Sequence, residues 1–154
     1  MITSLVGRRL AARIALVATL GASLVGLSAT GANADTQHRA IATYRIIVHT
    51  ANIPNAGTDA TIKMMVYGTL NTSPGYVNLD NKVYDDFEQN ATDNFGPFSW
   101  FDIGRPDFIG VFKDSNGDEW YPDYARVLAN GTWYLCPMND YYYDGAETKW
   151  FDCP

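Results

Sequence analysis

Two Asn-Gly pairs, Asn116-Gly117 and Asn130-Gly131, constrain this chain more than any other feature. Asn and Gly accept the positive φ of a tight hairpin, so each pair predicts a strand on either side. No sustained helical periodicity surrounds them. Short segments rich in β-branched and aromatic residues alternate with Gly, Pro, Asn and Asp, which is the pattern of strands and turns. The strands read as residues 44–50, 60–68, 76–79, 95–103, 108–113, 120–128, 132–136 and 150–153. Segment 60–68 reads as the partner of 44–50. Strands at this spacing predict an antiparallel sandwich.

The first 34 residues stand apart. Arg8, Arg9 and Arg13 form a basic start, Ile14 to Leu27 is apolar, and Ala32-Asn33-Ala34 offers a small-x-small cleavage site. This predicts a signal peptide, with a mature chain beginning at Asp35 and secreted to the extracellular space. A transmembrane helix is the alternative, but the run is short. The residues around Arg8-Arg9 fit a twin-arginine motif poorly, which favours general secretion. Residues 35–42 read as a polar, flexible arm and 43–154 as one domain.

Cleavage leaves eight basic residues against 17 acidic ones, a net charge of −9. Such a surface excludes nucleic acid, whose phosphates require Lys and Arg, and purely electrostatic attachment to anionic lipid. Two cysteines, Cys136 and Cys153, in an exported chain point to a disulfide worth about 3 kcal/mol; two buried thiols are the alternative. His38 and His49 bring no zinc-ligand spacing.

The acidic residues fall in separate turns: Asn55-Ala56-Gly57-Thr58-Asp59-Ala60, then Asp80-Asn81, Asp85-Asp86 and Asp123. Oxygen donors from several loops suit calcium, although an Asp in a turn also satisfies local amides. Asp114-x-Asn116-x-Asp118 has the start of an EF-hand loop, but Glu119 replaces its Gly and Ala125 its final Glu.

Beyond these residues the chain resembles a known family. Tyr44-x-Ile46-x-Val48-x-Thr50, Ala56-Gly57-Thr58-Asp59-Ala60 and Val66-x-Gly68 are similar to the opening of a PLAT (LH2) domain. Leu79-Asp80-Asn81, Asp85-Asp86-Phe87, Asp102-Ile103-Gly104, Lys113-Asp114-x-x-Gly117, Trp120-Tyr121-x-x-Tyr124-x-x-Val127, Tyr134-x-Cys136 and Trp150 follow in the family's order. The resemblance implies an all-β, antiparallel eight-stranded β-sandwich of the PLAT/LH2 type. It also implies that the three acidic loops meet at one end. On this basis Asn55, Gly57 and Asp123 resemble the ligands of one calcium site, and Thr58, Asn81 and Asp86 those of a neighbouring site. Asp59 supplies a further carboxylate. Ala60 and Asn55 each stand where the family can carry Asp, which implies weak binding in the millimolar range.

The resemblance further implies a non-catalytic module that docks with calcium onto a lipid or membrane surface, or else onto a protein partner. Candidate apolar tips are Ile53-Pro54, Val83-Tyr84 and Tyr121, since tyrosine suits an interface. Tyr141-Tyr142-Tyr143 reads as a disulfide-pinned loop covering the sandwich edge, or as a binding surface. The four tryptophans read as core. No G-x-S-x-G elbow, His-rich metal motif or phosphate-binding glycine loop points to catalysis.

Overall fold

The computed structural model describes residues 40–81 and 85–154. The expected signal peptide and Tyr84 lie outside them. Eight strands follow in order: β1 (Ile41–Thr50), β2 (Ile62–Gly68), β3 (Val77–Leu79), β4 (Thr92–Phe101), β5 (Pro106–Lys113), β6 (Pro122–Ala129), β7 (Thr132–Pro137) and β8 (Glu147–Asp152). Residues 41 and 42, expected in the arm, open β1. The strands form two antiparallel sheets, β4-β1-β6-β7 and β3-β2-β5-β8. Alternation decides which side of each strand is buried. Tyr44, Ile46 and Val48 of β1, Ile62, Met64 and Val66 of β2, Ile109 and Val111 of β5, and Ala125 and Val127 of β6 all point between the sheets. Burial of each large apolar side chain contributes about 1.5–3 kcal/mol.

Two expected pairings are corrected. β1 pairs with β4 and β6, whereas β2 pairs with β3 and β5, so these consecutive strands lie in different sheets. β5 and β6 are likewise not a hairpin. The Asp114 carboxylate accepts hydrogen bonds from the Thr61 and Asn116 amides, and the Thr58 hydroxyl donates to the Asp118 carbonyl. The turn is thereby fastened to the β1–β2 loop, and the chain crosses to the other sheet. Asn130-Gly131 does form a tight hairpin. Their φ values of 50° and 78° turn β6 directly into β7.

The sandwich edges are joined by the Cys136–Cys153 disulfide, which links the end of β7 to the residue after β8 across 17 positions. Trp100 and Trp120 are core residues as expected. Trp133 and Trp150 are not: they are 43% and 53% exposed on the outer faces.

Because strand direction alternates, the β1–β2, β3–β4, β5–β6 and β7–β8 loops all emerge at one end. These loops carry ten of the 17 acidic residues and one basic residue, Lys82. That end therefore has a strongly negative field, which favours cations. The opposite end is closed by structural bonds. The buried Asp102 carboxylate accepts from the Gly104 amide at 2.8 Å and from Asn130 Nδ2 at 3.1 Å, and the Ile103 amide donates to the Tyr44 hydroxyl at 2.9 Å.

Candidate functional site

At the acidic end, the β1–β2 and β3–β4 loops are held in backbone contact. The Thr58 amide donates to the Phe87 carbonyl at 3.2 Å. A Cβ on residue 57 would stand 3.0 Å from both Gln89 N and Phe87 O, so Gly57 is what allows this approach. The contact sets Asp59 beside the β3–β4 loop. Carboxylate oxygens of Asp59, Asp85 and Glu88 lie within 4.8 Å of one another, and all three residues are exposed. Two oxygens each about 2.4 Å from a shared calcium ion stand no more than about 4.8 Å apart, so the spacing fits such an ion. Without a cation these charges repel.

Two open clefts share this cluster. One, of about 270 Å³, is lined by Thr58 to Thr61, Asn78 to Asp80 and Asp85 to Phe87. The other, of about 240 Å³, is lined by Asn55, Gly57, Thr58, Asp59, Glu88, Gln89 and Asp118. Asp59 faces both.

The structure divides the residues singled out in the sequence. Asn55, Gly57, Thr58, Asp59 and Asp86 line the clefts. The Thr58 hydroxyl is buried, donating to the Asp118 carbonyl and accepting from the Ala60 amide, so it ties loops together. Asp86 bonds to Asn81 through both oxygens, accepting from the Asn81 amide and, at 2.9 Å, from Asn81 Nδ2. Asn81 is thus the partner of Asp86 and lines neither cleft. Asp123 departs furthest from expectation. Its Oδ2 lies 3.2 Å from His49 Nδ1, out of line for a hydrogen bond, and it too lines neither cleft. The cause is local: Asp123 sits in β6, where its carbonyl accepts from Met138 and Asn139 and His49 of β1 packs alongside.

Three participants were missed. Asp85 belongs to the acidic run but not to the expected ligands, Asp118 enters only the EF-hand-like run, and Glu88 enters neither. Their acidity and position in turns were the available signals. Nearby, Asp93 Oδ2 accepts from the Phe87 amide at 2.9 Å. Burial, with a smaller contribution from the Asp86 charge, holds the Asp93 carboxyl above its usual range.

The apolar tips share this end. Ile53 is 43% exposed. Tyr121 exchanges backbone hydrogen bonds with Ala51 and Ala56, which places it beside the Ile53 loop. Its ring lies 5.8 Å from that of Tyr141, which is 5.0 Å from that of Tyr143. Tyr141 donates a short hydrogen bond to Glu119, which, with lesser effects of burial and neighbouring charge, raises its phenol to about 12. Tyr142 alone of the three turns inward, where it is fully buried against Trp120.

A β-sandwich whose loops collect oxygen donors and aromatic tips at one end defines a binding module. The chain belongs to the PLAT/LH2 domain family, whose description matches residues 44–151. Among solved structures it is similar to coral 8R-lipoxygenase, described as calcium-activated through a C2-like domain. The TM-score is 0.62 at 24% identity over 73% of this chain and 17% of that one. A calcium-dependent 11R-lipoxygenase gives 0.55 at 20% identity over 72% and 17%. The alpha-toxin from Clostridium absonum gives 0.55 at 17% identity over 80% and 33%. The chain thus spans between a sixth and a third of these proteins. No curated protein matches the sequence.

Proposed function

We propose that this chain is an exported, non-catalytic binding module that docks onto a lipid surface with the help of weakly held calcium. The observation that carries this reading is the convergence of Asp59, Asp85 and Glu88 at the end that also presents Ile53, Tyr121 and Tyr143. Carboxylates supply hard oxygen ligands, and the bound ion offsets a negative end that would otherwise be repelled by anionic headgroups. Tyrosine and isoleucine then enter the interface. The calcium activation described for coral 8R-lipoxygenase through its C2-like domain is consistent with this role.

Sedimentation with phosphatidylcholine–phosphatidylserine vesicles tests it. The cleaved chain is expected to co-sediment with calcium and to stay in solution with chelator. Background sedimentation in both conditions would overturn the lipid reading.

A second reading, docking to a protein, has an observation of its own. Arg45 and Arg126 lie on the outer face of the β4-β1-β6-β7 sheet and form no ion pair with another described residue. Leu128, Trp133 and Leu135 flank them in register. Arginine and tryptophan among aliphatic residues are the composition of interface centres. Calcium-dependent stabilisation without vesicle binding would favour this reading.

A further inference from the structure

The outer face of the β3-β2-β5-β8 sheet carries an arrangement that lipid docking does not use. Register places three rows across it: Tyr67–Phe108–Asp152, Met65–Gly110–Trp150, and Lys63–Phe112–Thr148. Gly110 is the centre. Three carbons of the Trp150 benzo ring lie 2.3–2.8 Å from where a Cβ on residue 110 would stand. The indole therefore occupies the space of the missing side chain and lies across the sheet. Trp150 remains 53% exposed, so a large part of the ring is open to solvent.

Tyr67 and Phe108 stack on each other with centroids 4.4 Å apart. Their planes meet the indole at 65° and 69°. The result is an aromatic floor with an aromatic wall, with Phe112 in the row on the far side of Trp150, its ring 6.3 Å from that of Tyr76 at 62°. Polar groups rim it: Asp152 beside Phe108, Thr148 beside Phe112, and Lys63 above the Phe112 ring.

The geometry points to a binding site on this face for a neutral, β-linked, glucose-configured oligosaccharide. An all-equatorial pyranose has an apolar C–H face that fits a flat indole, and a hydroxyl edge that requires donors and acceptors at the rim. A lipid tail needs no such rim. An anionic sugar would meet a chain of net charge −6 over its full sequence, and more negative still without the basic leader. β-Linkage keeps successive rings flat enough to lie along a sheet, whereas α-linked chains coil away from it.

Isothermal titration with cellohexaose and fully N-acetylated chitohexaose tests the site, with maltohexaose and polygalacturonate as comparators. Saturable binding of at least one of the first two is expected, unchanged by chelator. Trp150→Ala should weaken it at least ~10-fold, equivalent to about 1.4 kcal/mol. Gly110→Ala should weaken it although Trp150 is still present, because the indole is displaced. Trp150→Tyr should retain most of the affinity, and Trp133→Ala on the opposite sheet all of it. Tyr67→Ala provides an independent loss should Trp150→Ala not fold. Absence of binding by both β-linked sugars overturns the proposal, as does equal loss in Trp150→Ala and Trp133→Ala, or equal affinity for either comparator. Chelator independence separates this outcome from the vesicle experiment, so either reading can fail alone.

Discussion

Asp86 is bound to Asn81 through both carboxylate oxygens, while its neighbour Asp85 points to the cluster with Asp59 and Glu88. One of two adjacent aspartates therefore builds the loop, and the other is free to take a cation. Asp59→Asn combined with Glu88→Gln is expected to abolish calcium-dependent stabilisation, whereas Asp123→Asn should retain it. In the unsubstituted chain the stabilisation should approach ~2.7 kcal/mol when calcium is at 100 times its dissociation constant. Thermal melts at stepped calcium concentrations measure this; loss in Asp123→Asn alone would reassign the site.

Asp114 fastens the β5–β6 turn to the β1–β2 loop through the amides of Thr61 and Asn116. Burial acts to raise its carboxyl, but the hydrogen bonds from Thr61 and Asn116 outweigh it and hold the group below 3.8. A depressed carboxyl contributes stability above its unfolded value that is lost as pH falls through the folded one. Asp114→Ala is expected to cost about 1 kcal/mol at neutral pH. Denaturant melts should show the difference from the unsubstituted protein shrinking below pH 3.8.

Tyr141 behaves in the opposite sense. Its phenol, raised from 10.0 to about 12 chiefly by the bond to Glu119, stays protonated in the folded chain after it would ionise in the unfolded one. Stability from this group is therefore complete below pH 10.0 and declines as pH rises towards about 12. Glu119→Gln should bring the phenol back towards 10.0, and Tyr141→Phe should remove one late-titrating phenol from the ultraviolet titration, leaving Tyr44 and Tyr142, which burial also raises. An unchanged titration in Glu119→Gln would show that Glu119 does not control it.

The Cys136–Cys153 bridge joins edge strands of opposite sheets. The paired substitution Cys136→Ser and Cys153→Ser is expected to lower stability by about 3 kcal/mol, the loop-closure value for this length. Equal midpoints in urea for the oxidised and substituted chains would reject a stabilising role.

Strand positions were legible in the sequence because burial on one face imposes a period of two. Residues such as Tyr44, Ile46 and Val48 show it directly. The carboxylate-rich turns were legible for the same reason that loops are polar. Partner choice was not. Residues 44–50 and 60–68 both look like strands that would pair, and nothing in either segment says that the loop between them crosses from one sheet to the other.

The sequence by itself determined the class of fold, the approximate positions of the strands though not their ends, the tight turn at Asn130-Gly131 and the acidity of the loops. Only the tertiary structure decided which carboxylates meet, since Asp59 reaches Glu88 through the close approach at Gly57, while Asp123 is taken up beside His49. It also decided which tryptophans face outward. The reason is physical: periodicity is a property of neighbours along the chain, whereas a site is a property of distances between loops. Those distances are fixed only once the two sheets have packed.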